Sequence, residues 1–205
     1  MCNIRPFVFF TATRTYVQEE VYEKFIAKAK ELAEARKTAD PFELTTVQGP
    51  QIDDIQFEKI LKYIESGKET ARLVTGGQRI GSKGYFIQPT IFADVPDDCK
   101  IAREEIFGPV QSILKFKTLD EVIERSNATH YGLAAGIVTS NLDNALKYTQ
   151  RVRTGIVWVN TWFVIAPGAP VGGYKESGHG REFGEEGVLE YMNIKTVTIH
   201  NPGKA

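Results

Sequence analysis

Residues 110–139, VQSILKFKTLDEVIERSNATHYGLAAGIVT, carry the pattern of a strand, a helix and a second strand. Val110 to Lys117 alternates apolar and polar side chains, which predicts a half-buried strand. Thr118, with Glu121 three residues later, forms a capping-box pattern and indicates that a helix begins there. Leu133 to Thr139 is small and apolar, as in a buried strand. Strand, helix and strand at this spacing predict a βαβ unit on a largely parallel sheet.

The same alternation of elements continues along the rest of the chain. Asp53 is placed to cap a helix with one apolar face, and Gly67 is placed to end it. The other predicted helices span 20–37, 118–126, 141–154 and 183–191; the other predicted strands span 14–18, 72–75, 156–159 and 194–199, with an extended segment at 85–92. We therefore predict an α/β fold with a largely parallel sheet, flanking helices and a C-terminal strand.

Composition and charge disfavour several classes of protein. A net charge of −1 leaves no basic excess that would attract nucleic acid or anionic lipid. No apolar run approaches the roughly 20 residues of a membrane span, and no long apolar segment follows Arg5, so we expect no signal peptide. The two cysteines, Cys2 and Cys99, make no disulfide framework. We expect a cytosolic protein.

Two segments carry candidate chemistry. The segment 104–109, EEIFGP, sets two carboxylates beside an aromatic ring and a rigid turn. It is either a surface turn with solvated acids or a site where a glutamate binds a polyol while Phe107 packs on a flat ring. The segment 172–182, GGYKESGHGRE, lies at the end of a long irregular stretch, which is typical of a functional loop. Its glycines are spaced as if the backbone passes close to something, and a functional and a purely structural interpretation both stay open.

Metal, phosphate and serine-hydrolase sites are not indicated. His130, His179 and His200 are too scattered for a metal site, and Cys99 has no CxxC partner. No glycine-rich phosphate loop and no GxSxG motif is present.

Five motifs carry a resemblance to a known family. In order and spacing they resemble the C-terminal part of the aldehyde dehydrogenase superfamily, from about Arg14 to the end. The motifs are GYFIQPTIFADV (84–95), AREEIFGPV (102–110), YGLAAGIVTSNLDNA (131–145), GIVWVN (155–160) and GGYKESGHGRE (172–182). The family oxidises aldehydes to carboxylic acids with NAD or NADP through a cysteine thiohemiacetal, so the resemblance implies an oxidoreductase.

The resemblance implies a cofactor contact and an aldehyde pocket. Glu105 matches the residue that binds the nicotinamide ribose hydroxyls, and Phe107 matches the aromatic at the nicotinamide end of the cofactor. Asn160 matches a residue that closes a strand beside the catalytic loop. The residues that match the lining of the aldehyde tunnel are Trp162, Val164, Ile165 and Val171. Many relatives have aromatic residues at positions 165 and 171, so the resemblance implies a more open, aliphatic pocket.

The resemblance also implies an assembly surface at the C-terminus. The matching residues join the sheet of a neighbouring subunit in the family, and an exposed strand edge is suited to such pairing. They are Lys195, Thr196, Val197, Thr198 and Ile199. We expect a homo-oligomer or pairing with full-length subunits.

The nucleophile of the family has no counterpart in this sequence. Relatives place the catalytic cysteine five residues before the arginine that matches Arg14, and that position is Phe9. Cys2 lies too far upstream, and Cys99 lies where no relative keeps its nucleophile. The cofactor domain of relatives, with the general base and the oxyanion-hole asparagine, would precede residue 1.

We therefore expect a truncated aldehyde dehydrogenase without a catalytic residue. Its expected parts are a divergent segment (1–13), a catalytic-domain portion (14–193) and an oligomerisation strand with a tail (194–205). We expect it to bind NAD or NADP weakly or not at all and to be inactive alone. Two alternatives stay open: a partial gene model of an active enzyme, and a non-catalytic module that pairs with full-length subunits.

Overall fold

The computed structural model describes residues 13–200 and Gly203. These residues form two compact units, which divide between Thr129 and His130. The first unit ends at Thr129, and the second begins at His130. Of the described residues, none belongs to a helix with the length and hydropathy that crossing a bilayer requires.

The first unit is built on a four-stranded sheet with the order β1-β4-β3-β2. β4 lies parallel to both β1 and β3, and only β2 runs antiparallel to its neighbour β3. The elements of this unit are β1 (Arg14–Gln18), α1 (Tyr22–Glu34), α2 (Asp54–Thr70), β2 (Arg72–Thr75), β3 (Thr90–Ala93), α3 (Lys100–Arg103), β4 (Val110–Phe116) and α4 (Leu119–Asn127). The predicted α/β fold with a largely parallel sheet is confirmed.

Helices cover both faces of this sheet. Along β3, Phe92 points into the cluster that contains α2 and α3, whereas Ile91 and Ala93 point into the cluster that contains α1. β4 alternates in the same way, with Leu114 on the α2 side and Ile113 on the α1 side, and both side chains are fully buried. The prediction that this strand is half-buried was wrong, because interior strands of a parallel sheet are covered on both faces.

The predicted helix end at Gly67 was also wrong. α2 continues through Gly67 to Thr70, and Gly67 lies inside the helix where it packs on the sheet. A Cβ atom at this position would lie 2.8 Å from Cζ of Phe92. The missing side chain therefore allows close packing of helix on sheet rather than a helix-terminating turn.

A buried tyrosine joins α1 to the sheet. The Tyr22 ring is almost fully buried, and its hydroxyl accepts a hydrogen bond from the Asp94 N–H (2.7 Å) and donates one to the Ile113 carbonyl (3.3 Å). Burial raises the pKa of Tyr22, so the hydroxyl keeps the proton that it donates. Arg72 Nε bonds the Asp94 carboxylate at 2.7 Å and closes this group of contacts.

The second unit contains a separate two-stranded parallel sheet, β5 (Ala134–Ile137) with β6 (Ile156–Val159), and the helices α5 (Leu142–Arg151) and α6 (Gly184–Leu189). β5 therefore pairs with β6 and not with the sheet that contains β4. The strand–helix–strand pattern of residues 110–139 is present, but its two strands belong to different sheets.

The C-terminal segment 194–199 forms no strand among the described residues. Its side chains are exposed, with Ile194 at 100% and Ile199 at 84% of full exposure. The predicted strand is therefore not present in the single chain, because a strand needs a neighbour that takes up its N–H and C=O groups. Pairing with another subunit stays a prediction.

Candidate functional site

The turn formed by residues 104–109, called here the 104–109 turn, connects α3 to β4. Its two glutamates differ in their contacts. Glu104 accepts a hydrogen bond of 2.7 Å from the Tyr63 hydroxyl, so it helps to fix the turn against α2. The Glu105 side chain is exposed, and Phe107 is 41% exposed. An exposed carboxylate and an aromatic ring two residues apart are therefore available to a ligand.

The backbone of the 104–109 turn is held from several sides. Ile106 is buried, and the Thr90 N–H donates to the Pro109 carbonyl at 2.8 Å. Gly108 packs on α2, where a Cβ atom would lie 2.5 Å from Cδ1 of Ile60. Because Ile60 is fully buried in the core, any side chain at position 108 would displace the turn from the helix.

One α2 side chain, absent from the sequence predictions, bonds the turn directly. Gln56 Nε2 donates to the carbonyls of Ile106 (3.0 Å) and Phe107 (2.9 Å). A single glutamine in the first turn of a helix carries no distinctive sequence signal. The Asp53 cap does predict that position 56 lies at the beginning of α2.

Asn160, in the second unit, joins the ends of β5 and β6. Its N–H donates to the Ile137 carbonyl at 2.9 Å, which continues the ladder by one residue. Its side-chain amide then makes the two hydrogen bonds that a paired backbone residue would make. Oδ1 accepts from the Thr139 N–H and Nδ2 donates to the Thr139 carbonyl, both at 2.8 Å. The φ of 54° at Asn160 is in the left-handed region, which asparagine tolerates better than most residues. Asn160 thus closes β6 and fixes the direction of the loop that follows. Its place beside an aldehyde pocket stays a prediction.

The four residues predicted to line an aldehyde pocket lie on that loop. The Trp162 ring packs at 4.9 Å from the Trp158 ring, and Trp158 Nε1 donates to the Val164 carbonyl at 2.9 Å. Val164 and Ile165 are exposed. Val171 exchanges two backbone hydrogen bonds with Glu182, of 2.7 and 2.8 Å. The loop is therefore anchored at both ends, and its role in binding an aldehyde stays a prediction.

The glycine-rich segment 172–182 packs closely on the rest of the second unit. The Gly132 carbonyl accepts from the N–H groups of Gly155 (3.0 Å) and Tyr174 (2.8 Å), and the Gly132 N–H donates to Ser177 Oγ (2.9 Å). A Cβ atom on Gly155 would lie only 1.8 Å from the carbonyl oxygen of Gly172. Within the segment, a Cβ atom on Gly172 would lie 2.6 Å from the Gly180 carbonyl oxygen, and one on Gly173 would lie 2.7 Å from the Ser177 carbonyl oxygen. Packing within their own unit accounts for these two glycines.

The candidate nucleophile positions differ in what the structure describes. Phe9 and Cys2 lie outside the described residues. Cys99 is 8% exposed and belongs to the core cluster between α2 and the sheet, so its thiol is shielded from a substrate. Within 13–200, no three His, Cys, Asp or Glu side chains gather where they could hold a metal ion.

Comparison with known proteins defines the class to which these features belong. The sequence model of the aldehyde dehydrogenase family matches residues 10–197, so the chain belongs to that family. It is 52% identical to an aldehyde dehydrogenase of Enchytraeus buchholzi over 94% of this chain and 39% of that protein. It is also 52% identical to human retinaldehyde dehydrogenase 3 over 92% of this chain and 37% of that protein.

Solved structures agree with this assignment. An NAD-dependent aldehyde dehydrogenase from Sinorhizobium meliloti superposes with a TM-score of 0.93 at 39% identity, over 97% of this chain and 40% of that one. An aldehyde dehydrogenase from Bacillus cereus, solved as an NAD+ complex, gives a TM-score of 0.89 at 41% identity, over 91% and 38%. The chain thus spans about two fifths of the length of the relatives it matches.

Proposed function

We propose that this chain is the C-terminal catalytic-domain portion of an NAD- or NADP-dependent aldehyde dehydrogenase, in which the 104–109 turn contacts the nicotinamide half of the cofactor. The observation that carries the proposal is that Glu105 is exposed while the residues on either side of it are fixed by hydrogen bonds to α2. Tyr63 bonds the Glu104 carboxylate, and Gln56 bonds the carbonyl of the buried Ile106. A carboxylate can accept from two vicinal hydroxyls at once, as a ribose requires. The half-exposed Phe107 ring offers a flat apolar surface beside it.

The second unit supplies the proposed aldehyde contacts. Val164 and Ile165 are exposed aliphatic side chains on a loop that is tied down through Trp158 and Val171. Apolar side chains on an anchored loop suit the hydrocarbon part of an aldehyde and exclude water from it. We propose that Asn160 holds the beginning of this loop in place.

The complete reaction of the family needs groups that we do not assign to this chain. In a complete relative a thiolate attacks the aldehyde, hydride passes to the bound NAD, and water hydrolyses the thioester. Here Phe9 stands at the nucleophile position, and Cys99 is shielded. A phenyl ring cannot attack a carbonyl, and removal of a single oxyanion-hole donor can already cost about 10²–10³ in rate, so we propose that this chain has no turnover on its own.

The 205-residue chain is therefore expected to show no NAD-dependent oxidation of acetaldehyde, benzaldehyde or betaine aldehyde. NADH formation followed by absorbance, with heat-denatured protein as the blank, measures this directly. Cys2→Ala and Cys99→Ala variants serve as controls. Turnover above the blank that disappears in either variant would show that the chain uses a cysteine that we have excluded.

The cofactor contact has its own test. We expect NAD to bind weakly or not at all, because no helix N-terminus is assigned here to its pyrophosphate. Nicotinamide mononucleotide contains only the half of the cofactor that the 104–109 turn would contact, and we expect its weak binding to appear as saturation transfer from the protein to the nicotinamide protons. Glu105→Gln should reduce this signal several-fold by removing the charge that accepts from the ribose. Glu58→Gln, an exposed position on α2, is the charge-matched control. Equal signals in both variants would contradict the proposed role of Glu105.

A second candidate function is a non-catalytic assembly module. The observation that favours it is the segment 194–199, whose apolar side chains are exposed and whose backbone forms no strand within the described residues. Such a segment is suited to add a strand to the sheet of another subunit. This proposal predicts a homo-oligomer, or pairing with full-length subunits, in the absence of turnover.

A further inference from the structure

We propose that Gln56 is the positioning residue of the 104–109 turn, an inference that rests on the proposed function of Glu105 and Phe107. The side-chain amide of Gln56 donates to two consecutive carbonyls, Ile106 at 3.0 Å and Phe107 at 2.9 Å. These two carbonyls belong to the peptide units that follow Ile106 and Phe107. One side chain therefore fixes the orientation of both peptide planes in the middle of the turn.

The conformation of the turn explains why it needs such a contact. Phe107 has a φ of 57°, in the left-handed region that a bulky residue avoids because its Cβ approaches the backbone. A residue stays in this region only when the surrounding structure fixes it there. The neighbouring contacts at Gly108 and Pro109 hold the C-terminal end of the turn. Gln56 is the side chain that holds its centre.

Gln56 lies on a helix whose position is fixed by its N-terminal cap and by its buried side chains. It is the third residue of α2, and its N–H donates to Oδ1 of the Asp53 cap at 2.8 Å. The next residues of that helix, Phe57 and Ile60, are fully buried in the core. The amide of Gln56 is therefore carried by a capped, buried helix, and its position follows from the fold of the first unit.

The positions of Glu105 and Phe107 depend on these two peptide planes. The Phe107 side chain is attached between the two bonded units, and Glu105 lies one peptide unit before the first of them, so a rotation of either plane moves the ring relative to the carboxylate. Displacements of about 1 Å at a binding group can cost two orders of magnitude in an enzyme's rate. We infer that Gln56 acts on the cofactor site through the turn.

Amide hydrogen exchange of the 104–110 peptide tests the contact without any ligand. Gln56→Glu keeps the size of the side chain but cannot donate, and Gln56→Met removes the polar group without adding charge. Both should speed exchange in this peptide by roughly fivefold or more, the factor that corresponds to the loss of one or two hydrogen bonds. Glu58→Gln should leave it unchanged. Unchanged exchange in both Gln56 variants would overturn the proposal.

Nicotinamide mononucleotide binding to the same variants separates this inference from the proposed function. If Gln56→Glu and Gln56→Met both lower the saturation-transfer signal as Glu105→Gln does, Gln56 positions a working cofactor contact. If Glu105→Gln lowers the signal and the Gln56 variants leave it unchanged, the positioning role is overturned. If Glu105→Gln has no effect while exchange still rises in the Gln56 variants, the proposed function fails and the structural role of Gln56 stands.

Discussion

The Gly155→Ala variant is expected to lose the folded structure of the second unit. The added Cβ would lie 1.8 Å from the Gly172 carbonyl oxygen and 2.7 Å from its carbon. Both are backbone atoms, so no flexible side chain can move aside. Gly172 cannot move away easily, because the segment that follows it is fixed by a hydrogen bond of 2.8 Å from the Tyr174 N–H to the Gly132 carbonyl. We expect a loss of at least ~3 kcal/mol in the free energy of unfolding, since overpacking commonly costs 1–3 kcal/mol where atoms can still shift.

Tryptophan fluorescence measures this effect selectively. The chain has two tryptophans, Trp158 and Trp162, and both lie in the second unit. Gly168→Ala is the matched control, because a Cβ there would meet nothing within 4 Å. A melting curve for Gly155→Ala that coincides with that of Gly168→Ala would show that the 155–172 contact yields without cost.

The wild-type chain is expected to self-associate at micromolar concentration through residues 194–199. Ile194, Val197 and Ile199 are exposed, and their backbone has no strand partner among the described residues. Exposed segments rich in β-forming residues pair with one another through their free N–H and C=O groups. Light scattering should give a mass well above that of one chain.

Val197→Lys should shift this equilibrium towards the monomer, because a charge placed in the pairing segment disfavours burial against a second copy. Leu44→Lys is the control for exposed apolar surface in general, since Leu44 is 104% exposed and lies in the first unit. A monomeric wild-type chain, or equal effects of the two substitutions, would contradict pairing through the C-terminal segment.

Local sequence signals predicted the beginnings of helices well. Asp53, Thr118 and Asn141 each accept a hydrogen bond from a backbone N–H three residues on, as their patterns indicated. Capping depends on side chains within one helical turn, so the sequence contains all of the required information. The same holds for β1 and β2, whose bounds agree with the prediction.

Contacts between distant residues were harder to predict. Gly67 resembles a helix stop locally, but its role is set by Phe92, which belongs to a different element. Gln56 carried no recognisable sequence signal, because the two carbonyls that it bonds lie 50 and 51 positions further along the chain. Residues 134–137 read as a strand correctly, yet the choice of β6 as its partner depends on topology that a pattern of alternating elements does not specify.

The left-handed Phe107 implies a conflict between two demands on one position. Holding a side chain there costs roughly 1–2 kcal/mol that glycine would not incur. A chain selected for stability alone would favour glycine at 107 and would need no amide from Gln56. Retaining a phenyl ring at that cost is what selection for ligand contact would produce, in the manner of a stability–activity trade-off. Substitutions in the 104–109 turn that raise the thermal stability of this chain are therefore expected to weaken the proposed cofactor contact.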